Sequence, residues 1–215
     1  MVPSRRSHSA VSSASSGALR ELTTTTEKRD ALEITAAFAQ RLSIPPRLAD
    51  QLVFTADELI SNALFNAPVD RLGHHRHAHR PRTEAVVLEP GEEIELALRC
   101  DGRRIGILVL DPFGTLTPKT LTGCLGQELG PLRLGSSSGG VGLFSLLFMV
   151  SHLVVSFSPG QRTENIGLID IRGKTHRDFL HRGFSFNLFV GGERVAHEPQ
   201  QTDQTSSASG YSPSK

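Results

Sequence analysis

Three short segments of the chain carry residues whose types and spacing could do chemistry. In TADELISNALFN, Thr55, Glu58, Asn62 and Asn66 recur at steps of three or four, which on a helix stacks them into one polar stripe. Such a stripe is ordinarily a solvated face. Here apolar residues crowd both flanks, so a carboxylate and two amides would be partly enclosed and in need of partners. Glu58 and Asn62 lie one turn apart and could reach the same ion or water. A carboxamide oxygen is a hard ligand suited to magnesium, and a neighbouring carboxylate can orient or deprotonate a nucleophile.

The second segment is Asp111, directly after the apolar run 105–110 and before Pro112-Phe113-Gly114. Asp-Pro at a strand end initiates turns, which is the plain reading. A carboxylate at the mouth of a sheet is also an acceptor for an exocyclic amine such as that of adenine. The third segment is GSSSGGVGLFSLLF from Gly135, where glycines and serines run into an apolar helix. Backbone N–H groups at a helix start, with the positive end of its dipole, favour phosphates. The Lys-Ser/Thr of a P-loop is missing, no strand precedes the run, and Ser145 stands where a dinucleotide fingerprint needs its third glycine. A structural glycine loop remains the alternative.

The elements that must position these residues follow from periodicity. Thr23 to Thr26 precede apolar residues Ala31, Ile34, Phe38 and Leu42, predicting a helix over 27–42. Pro46 opens a second helix over 46–66, with Leu48, Leu52, Leu59 and Ala63 inward and Pro68 as its stop. Alternation over 93–99, the turn Asp101-Gly102 and the run 104–110 predict a hairpin. Thr117-Pro118 caps a short helix to about residue 125, 135–140 is a glycine and serine stretch, and 141–150 reads as buried helix. Strands are predicted over 153–158, 165–171 and 184–190, with a turn at Pro159-Gly160 and 162–164 as the polar hairpin tip. Consecutive hairpins with helices between them predict an α+β, two-layer α/β sandwich: one mixed, mostly antiparallel sheet with helices on one face.

Composition bounds the rest. The 215 residues suffice for one sizeable core, and the formal net charge of +1 gives no electrostatic case for nucleic acid or an acidic membrane surface. The longest apolar stretch, 141–155, is interrupted by Ser145, Ser151 and His152 and is too short to span a bilayer, and the N-terminus lacks the apolar segment of a secretory signal. Two cysteines, Cys100 and Cys124, fit a reducing cytosol, so a cytoplasmic location is expected. Ser, Thr, Gln and Pro dominate both ends, predicting disordered tails over 1–18 and 196–215 around one domain over 19–195. The run GHHRHAHRPR, with His74, His75, His77 and His79, could bind a transition metal, but its spacing sets no geometry and a solvated loop is the better reading.

Taken in order, the three segments resemble the nucleotide-binding signature of the GHKL superfamily, the Bergerat-fold ATPases, and most closely the stand-alone anti-sigma-factor serine kinases. Glu58, Asn62 and Ala63 match E-x-x-x-N-A, Asp111 matches the glycine-box Asp, Gly140, Gly142 and Leu143 match the later G-x-G-L, and Gly183-Phe184-Ser185 resembles the closing strand with its hydroxyl. The resemblance spans about residues 19–190 and implies ATP and magnesium as cofactors. It implies Glu58 as base or water-positioning group, Asn62 as magnesium ligand and Asp111 as acceptor from the adenine amine. Gly114, Gly140, Gly142 and Leu143 complete the nucleotide set, with 128–139 as a lid and Ser185 near adenine. It further implies a sigma factor and an anti-anti-sigma antagonist as protein partners, and a homodimer is compatible with it.

The chain departs from the family in two places. Phe113 and Thr115 interrupt the first glycine box D-x-G-x-G, and Phe65 and Asn66 stand where the kinases often carry a basic residue. Those departures favour an alternative of another class: a non-catalytic module of the same fold that regulates a protein partner without phosphoryl transfer. No phosphoacceptor His lies on an upstream dimerisation helix, so His autophosphorylation is not expected.

Overall fold

The computed structural model describes residues 16–117, 141–171, 185–191 and 193–195. Seven strands form one sheet: β1 (Ser16–Leu22), β2 (Ile94–Cys100), β3 (Arg104–Asp111), β4 (His152–Ser158), β5 (Arg162–Asp170), β6 (Ser185–Val190) and β7 (Glu193–Val195), in the spatial order β1-β2-β3-β5-β4-β6-β7. All pairings are antiparallel except β4 with β6. Helices α1 (Thr25–Arg41), α2 (Pro46–Ser61) and α3 (Val141–Met149) complete the fold, and α2 runs on into a five-residue π turn, Asn62–Asn66. This is the expected α+β sandwich with a mixed, mostly antiparallel sheet.

Local chemistry explains the element boundaries. Thr24 and Glu27 close a capping box at the start of α1: the Glu27 N–H donates to Thr24 Oγ1 at 3.0 Å, and the Thr24 N–H to Glu27 Oε2 at 3.0 Å. Pro46 starts α2, where a missing N–H costs nothing. At the β2–β3 turn the Asp101 carboxylate accepts from the N–H groups of Arg103 (2.8 Å) and Arg104 (2.7 Å), while Gly102 takes the left-handed φ of 82°.

Alternation then selects the face that meets the helices. Ile94, Leu96 and Leu98 of β2, Ile105, Ile107 and Val109 of β3, and Leu153, Val155 and Phe157 of β4 are buried, together with Phe38 of α1 and Leu52, Ala56, Leu59 and Ile60 of α2. Residues on the opposite face, such as Leu108, Val154 and Ile166, are half-buried.

Several boundaries differ from the sequence reading. β1 starts at Ser16, so its first three residues fall inside the segment read as a tail; pairing with all of β2 orders them. Thr55 is no part of an open polar stripe: it is fully buried and its hydroxyl donates to the Gln51 carbonyl at 2.8 Å. Thr163, read as a polar hairpin tip, is 2% exposed inside β5. The His-rich run is exposed at His74, His75 and His79, as expected of a solvated loop, but it is pinned at its centre. His77 is buried, and Arg76 bridges Glu89 (2.9 Å) and Glu92 (2.5 Å). The expected tails up to residue 15 and beyond 195, the helix from 118 to 125, the lid over 128–139, Cys124, Gly140, Gly183 and Phe184 lie outside the described residues.

Gly167 decides how closely α2 sits on the sheet. A Cβ there would lie 3.0 Å from Val150 Cγ1, 3.2 Å from Ile107 Cγ2 and 3.3 Å from Thr55 Cγ2, so the strand, α2 and the end of α3 meet where no side chain fits. Gly167→Val should lower the unfolding free energy by about 1–3 kcal/mol through overpacking, measured by urea denaturation against Ser156→Val on the half-buried face as control.

Candidate functional site

Three C-terminal or N-terminal ends converge at one end of the sandwich. Thr55 of α2 lies over Gly167, which pairs with Ile107 of β3. From there α2 and β3 advance together. β3 reaches Asp111 four residues on, and the helical chain reaches Ala67 twelve residues on, where the Thr115 hydroxyl donates to the Ala67 carbonyl at 2.9 Å. α3 ends at Met149, and Ser151 donates its N–H to the Leu168 carbonyl at 2.7 Å as the chain reverses into β4. Since β4 runs toward the Asp111 end, α3 comes from that end, and its start at Val141 and Gly142 faces it. The Gln51 side chain donates to the Met149 carbonyl and ties α3 to α2.

At the sheet terminus Asp111 is 3% exposed. Burial pushes its carboxyl up to about 6, against the N–H groups of Phe113 and Gly114, which favour the ionised form; the Phe113 N–H donates at 3.0 Å. The Phe113 ring is buried and packs in the hydrophobic core. Gly114 takes φ 59° and presses on the β4–β5 turn. A Cβ there would lie 2.8 Å from the Gln161 nitrogen and 2.9 Å from that of Arg162, so the residue must be glycine to let the loop close over Asp111.

Directly across from Asp111 in the β3–β5 ladder is Thr163. Its hydroxyl is close enough to favour the Asp111 carboxylate, yet it makes no hydrogen bond of ordinary geometry and is buried. A buried acceptor and a buried hydroxyl thus stand side by side. Ser185 is not brought to this place. It opposes His152, whereas the row of Asp111 and Thr163 continues through Phe157 to Val190, five residues along β6 and about 17 Å away. The sequence reading missed Thr163 because strand order is not written in local pattern: β5, not β6, is the neighbour of β3.

On the helical side, Asn62 opens the π turn, whose wider ladder is seen in the Ala67 N–H donating to the Asn62 carbonyl at 2.9 Å. Asn66 Nδ2 donates to Asn62 Oδ1 at 2.8 Å. Arg82 arrives from the loop beyond. It donates to the Ser61 carbonyl at 2.7 Å and to Asn66 Oδ1 at 3.2 Å, with its guanidinium 4.7 Å from the centre of the Phe65 ring. A cation therefore does stand at the position the sequence reading found empty, but it comes from a distant segment.

Glu58, half-buried, has its pKa raised by burial and by neighbouring Asp57, while Arg82 and Lys28 pull it down. Among the described residues no donor bonds its carboxylate. Lys28 is instead engaged with Asp57 (2.7 Å) and Ser61 Oγ (2.7 Å). Of the later glycine motif, Gly142 lies in the first turn of α3 and nothing is described of the Leu143 side chain. Among the described residues no group of three His, Cys, Asp or Glu side chains could hold a metal ion, and no helix is long and apolar enough to cross a membrane.

The raised Asp111 pKa has a consequence for stability. The unfolded carboxyl loses its proton near 3.8 and the folded one only at about 6, so unfolding releases a proton between them. Stability from this group therefore falls as pH rises from about 4 to about 6 and is level above that. Asp111→Asn should remove that fall, worth up to about 3 kcal/mol, when denaturation midpoints of the two proteins are compared across pH 4–7.

No protein-family model matches this chain, and no curated protein matches it. Its functional reading rests on the residues named above and on where the fold puts them.

Proposed function

We propose that this chain is an ATP-binding cytoplasmic regulator of the GHKL type, acting on protein partners in the manner of the anti-sigma-factor serine kinases. The observation that carries the reading is the pair at the sheet terminus. Asp111 is a buried acceptor held by two backbone N–H groups, and the buried Thr163 hydroxyl beside it favours the carboxylate without a hydrogen bond of ordinary geometry. An exocyclic adenine amine suits the carboxylate, and the hydroxyl can serve a ring nitrogen. Guanine would place a carbonyl oxygen against the same carboxylate, so the pocket should select ATP over GTP.

The phosphates would extend toward Asn62 and the start of α3, where backbone N–H groups at Gly142 favour anions. The Asn62 carboxamide alone is too few ligands for a protein-only magnesium site, but it suits an ion carried in on nucleotide phosphates. Bound there, magnesium would neutralise phosphate charge. Glu58, its pKa raised, would take the proton from a partner's serine hydroxyl as that oxygen displaces ADP from the γ-phosphoryl group. Its ability to do so would be lost as pH falls through its raised pKa.

A second reading has its own support. Phe113, buried in the core, and Thr115 replace the glycines of the first box and Pro112 removes a backbone donor, which favours a module that binds nucleotide and a sigma factor or its antagonist without transferring phosphate. Calorimetric titration of the native chain with magnesium-ATP should give saturable binding, at least about tenfold weaker in Asp111→Asn and in Thr163→Val, with GTP weaker than ATP. Equal affinity in native and Asp111→Asn protein would refute the adenine assignment. Glu58→Gln should leave that binding unchanged, and it separates the two readings by whether any transfer of the γ-phosphate to an antagonist serine disappears with it.

A further inference from the structure

We propose that Arg82 acts through Asn66 to fix which way Asn62 presents its carboxamide, making Arg82 and Asn66 positioning residues for the phosphate end of the site. The inference rests on the reading that Asn62 serves nucleotide-borne magnesium. Its logic is one of donors and acceptors. A guanidinium has no acceptor, so the Asn66 atom facing Arg82 at 3.2 Å must be Oδ1. That leaves Nδ2 of Asn66 to face Asn62, and a donor there fixes Oδ1 of Asn62 toward it at 2.8 Å. A carboxamide oxygen has two lone pairs, so one remains for an ion.

Without the cation this polarity is lost. The Asn66 amide could then turn its oxygen toward Asn62, which would answer with its own Nδ2 and withdraw the ligand oxygen. The π turn sets the two amides within reach, and Arg82 itself is held by the Ser61 carbonyl and by the Phe65 ring. The segment carrying Arg82 is anchored on both sides. Arg76 donates its N–H to the Pro68 carbonyl at 2.9 Å and holds Glu89 and Glu92. Downstream, Thr25 donates to the Val86 carbonyl at 3.1 Å and Leu88 to that of Thr23 at 2.8 Å. The loop is therefore built to deliver one guanidinium to the end of α2.

Arg82→Met, which keeps an apolar stem on Phe65, Arg82→Lys, which keeps a donor, and Asn66→Ala test the relay. Side-chain amide NMR of the nucleotide-free protein should show the Asn62 resonances displaced in Arg82→Met and Asn66→Ala and near their native positions in Arg82→Lys. In ADP titrations with and without magnesium, the first two variants should bind ADP alone as the native protein does and lose about tenfold of the gain that magnesium confers. Unmoved Asn62 resonances in Asn66→Ala, or an undiminished magnesium gain in both variants, would overturn the relay. If the native chain binds no ADP at all, the nucleotide reading fails, and the Asn62 resonances alone decide the relay.

Discussion

The close seat of α2 on the sheet is the constraint on which the remaining geometry depends. Gly167 offers no side chain, so Thr55, Ile107 and Val150 converge over it, and the helix can run along β3 without being lifted away. From that fixed point both chains advance to the same end, where the Thr115 hydroxyl closes on the Ala67 carbonyl. Were α2 raised by the width of a side chain, Asn62 and Glu58 would no longer be tied in height to Asp111. A packing decision in the core thus sets the separation of polar groups at the rim.

What the rim gains from this packing is partial enclosure. Asp111 and Glu58 both have raised pKa values with burial as the main cause, although their neighbours differ: backbone N–H groups at the first, Asp57, Arg82 and Lys28 at the second. Carboxylates in such surroundings cost folding energy, because burial disfavours their charged form. The cations nearby are already spent on carbonyl, amide and carboxylate partners, so they shape the field around Glu58 without pairing with it. The π turn adds a further local irregularity at the same spot.

Periodic information in the sequence carried the helices and the β2–β3 hairpin, because amphipathic spacing, threonines ahead of the first helix and an Asp-Gly turn are local codes. Asp111, Glu58 and Asn62 were legible as candidates for the same reason: each departs from the pattern of its own element. Thr163 was not, since only the placement of β5 between β3 and β4 makes it Asp111's neighbour, and that order is decided by non-local pairing. The same topology leaves Ser185 at the opposite end. Arg82 was hidden in a basic, His-rich stretch whose composition reads as solvated. Its anchorage through Arg76, Val86 and Leu88 depends on partners far along the chain.

The central claim is that Asp111, Thr163, Asn62 and the start of α3 border one nucleotide pocket. A backbone-amide NMR titration of the native chain with magnesium-ATP tests it most directly. The account predicts shifts clustered at Asn62, Phe113, Gly114, Gly142 and Thr163, with His152 and Ser185 at the far end of the sheet unmoved. Shifts centred on His152 and Ser185, or none at millimolar nucleotide, would contradict it.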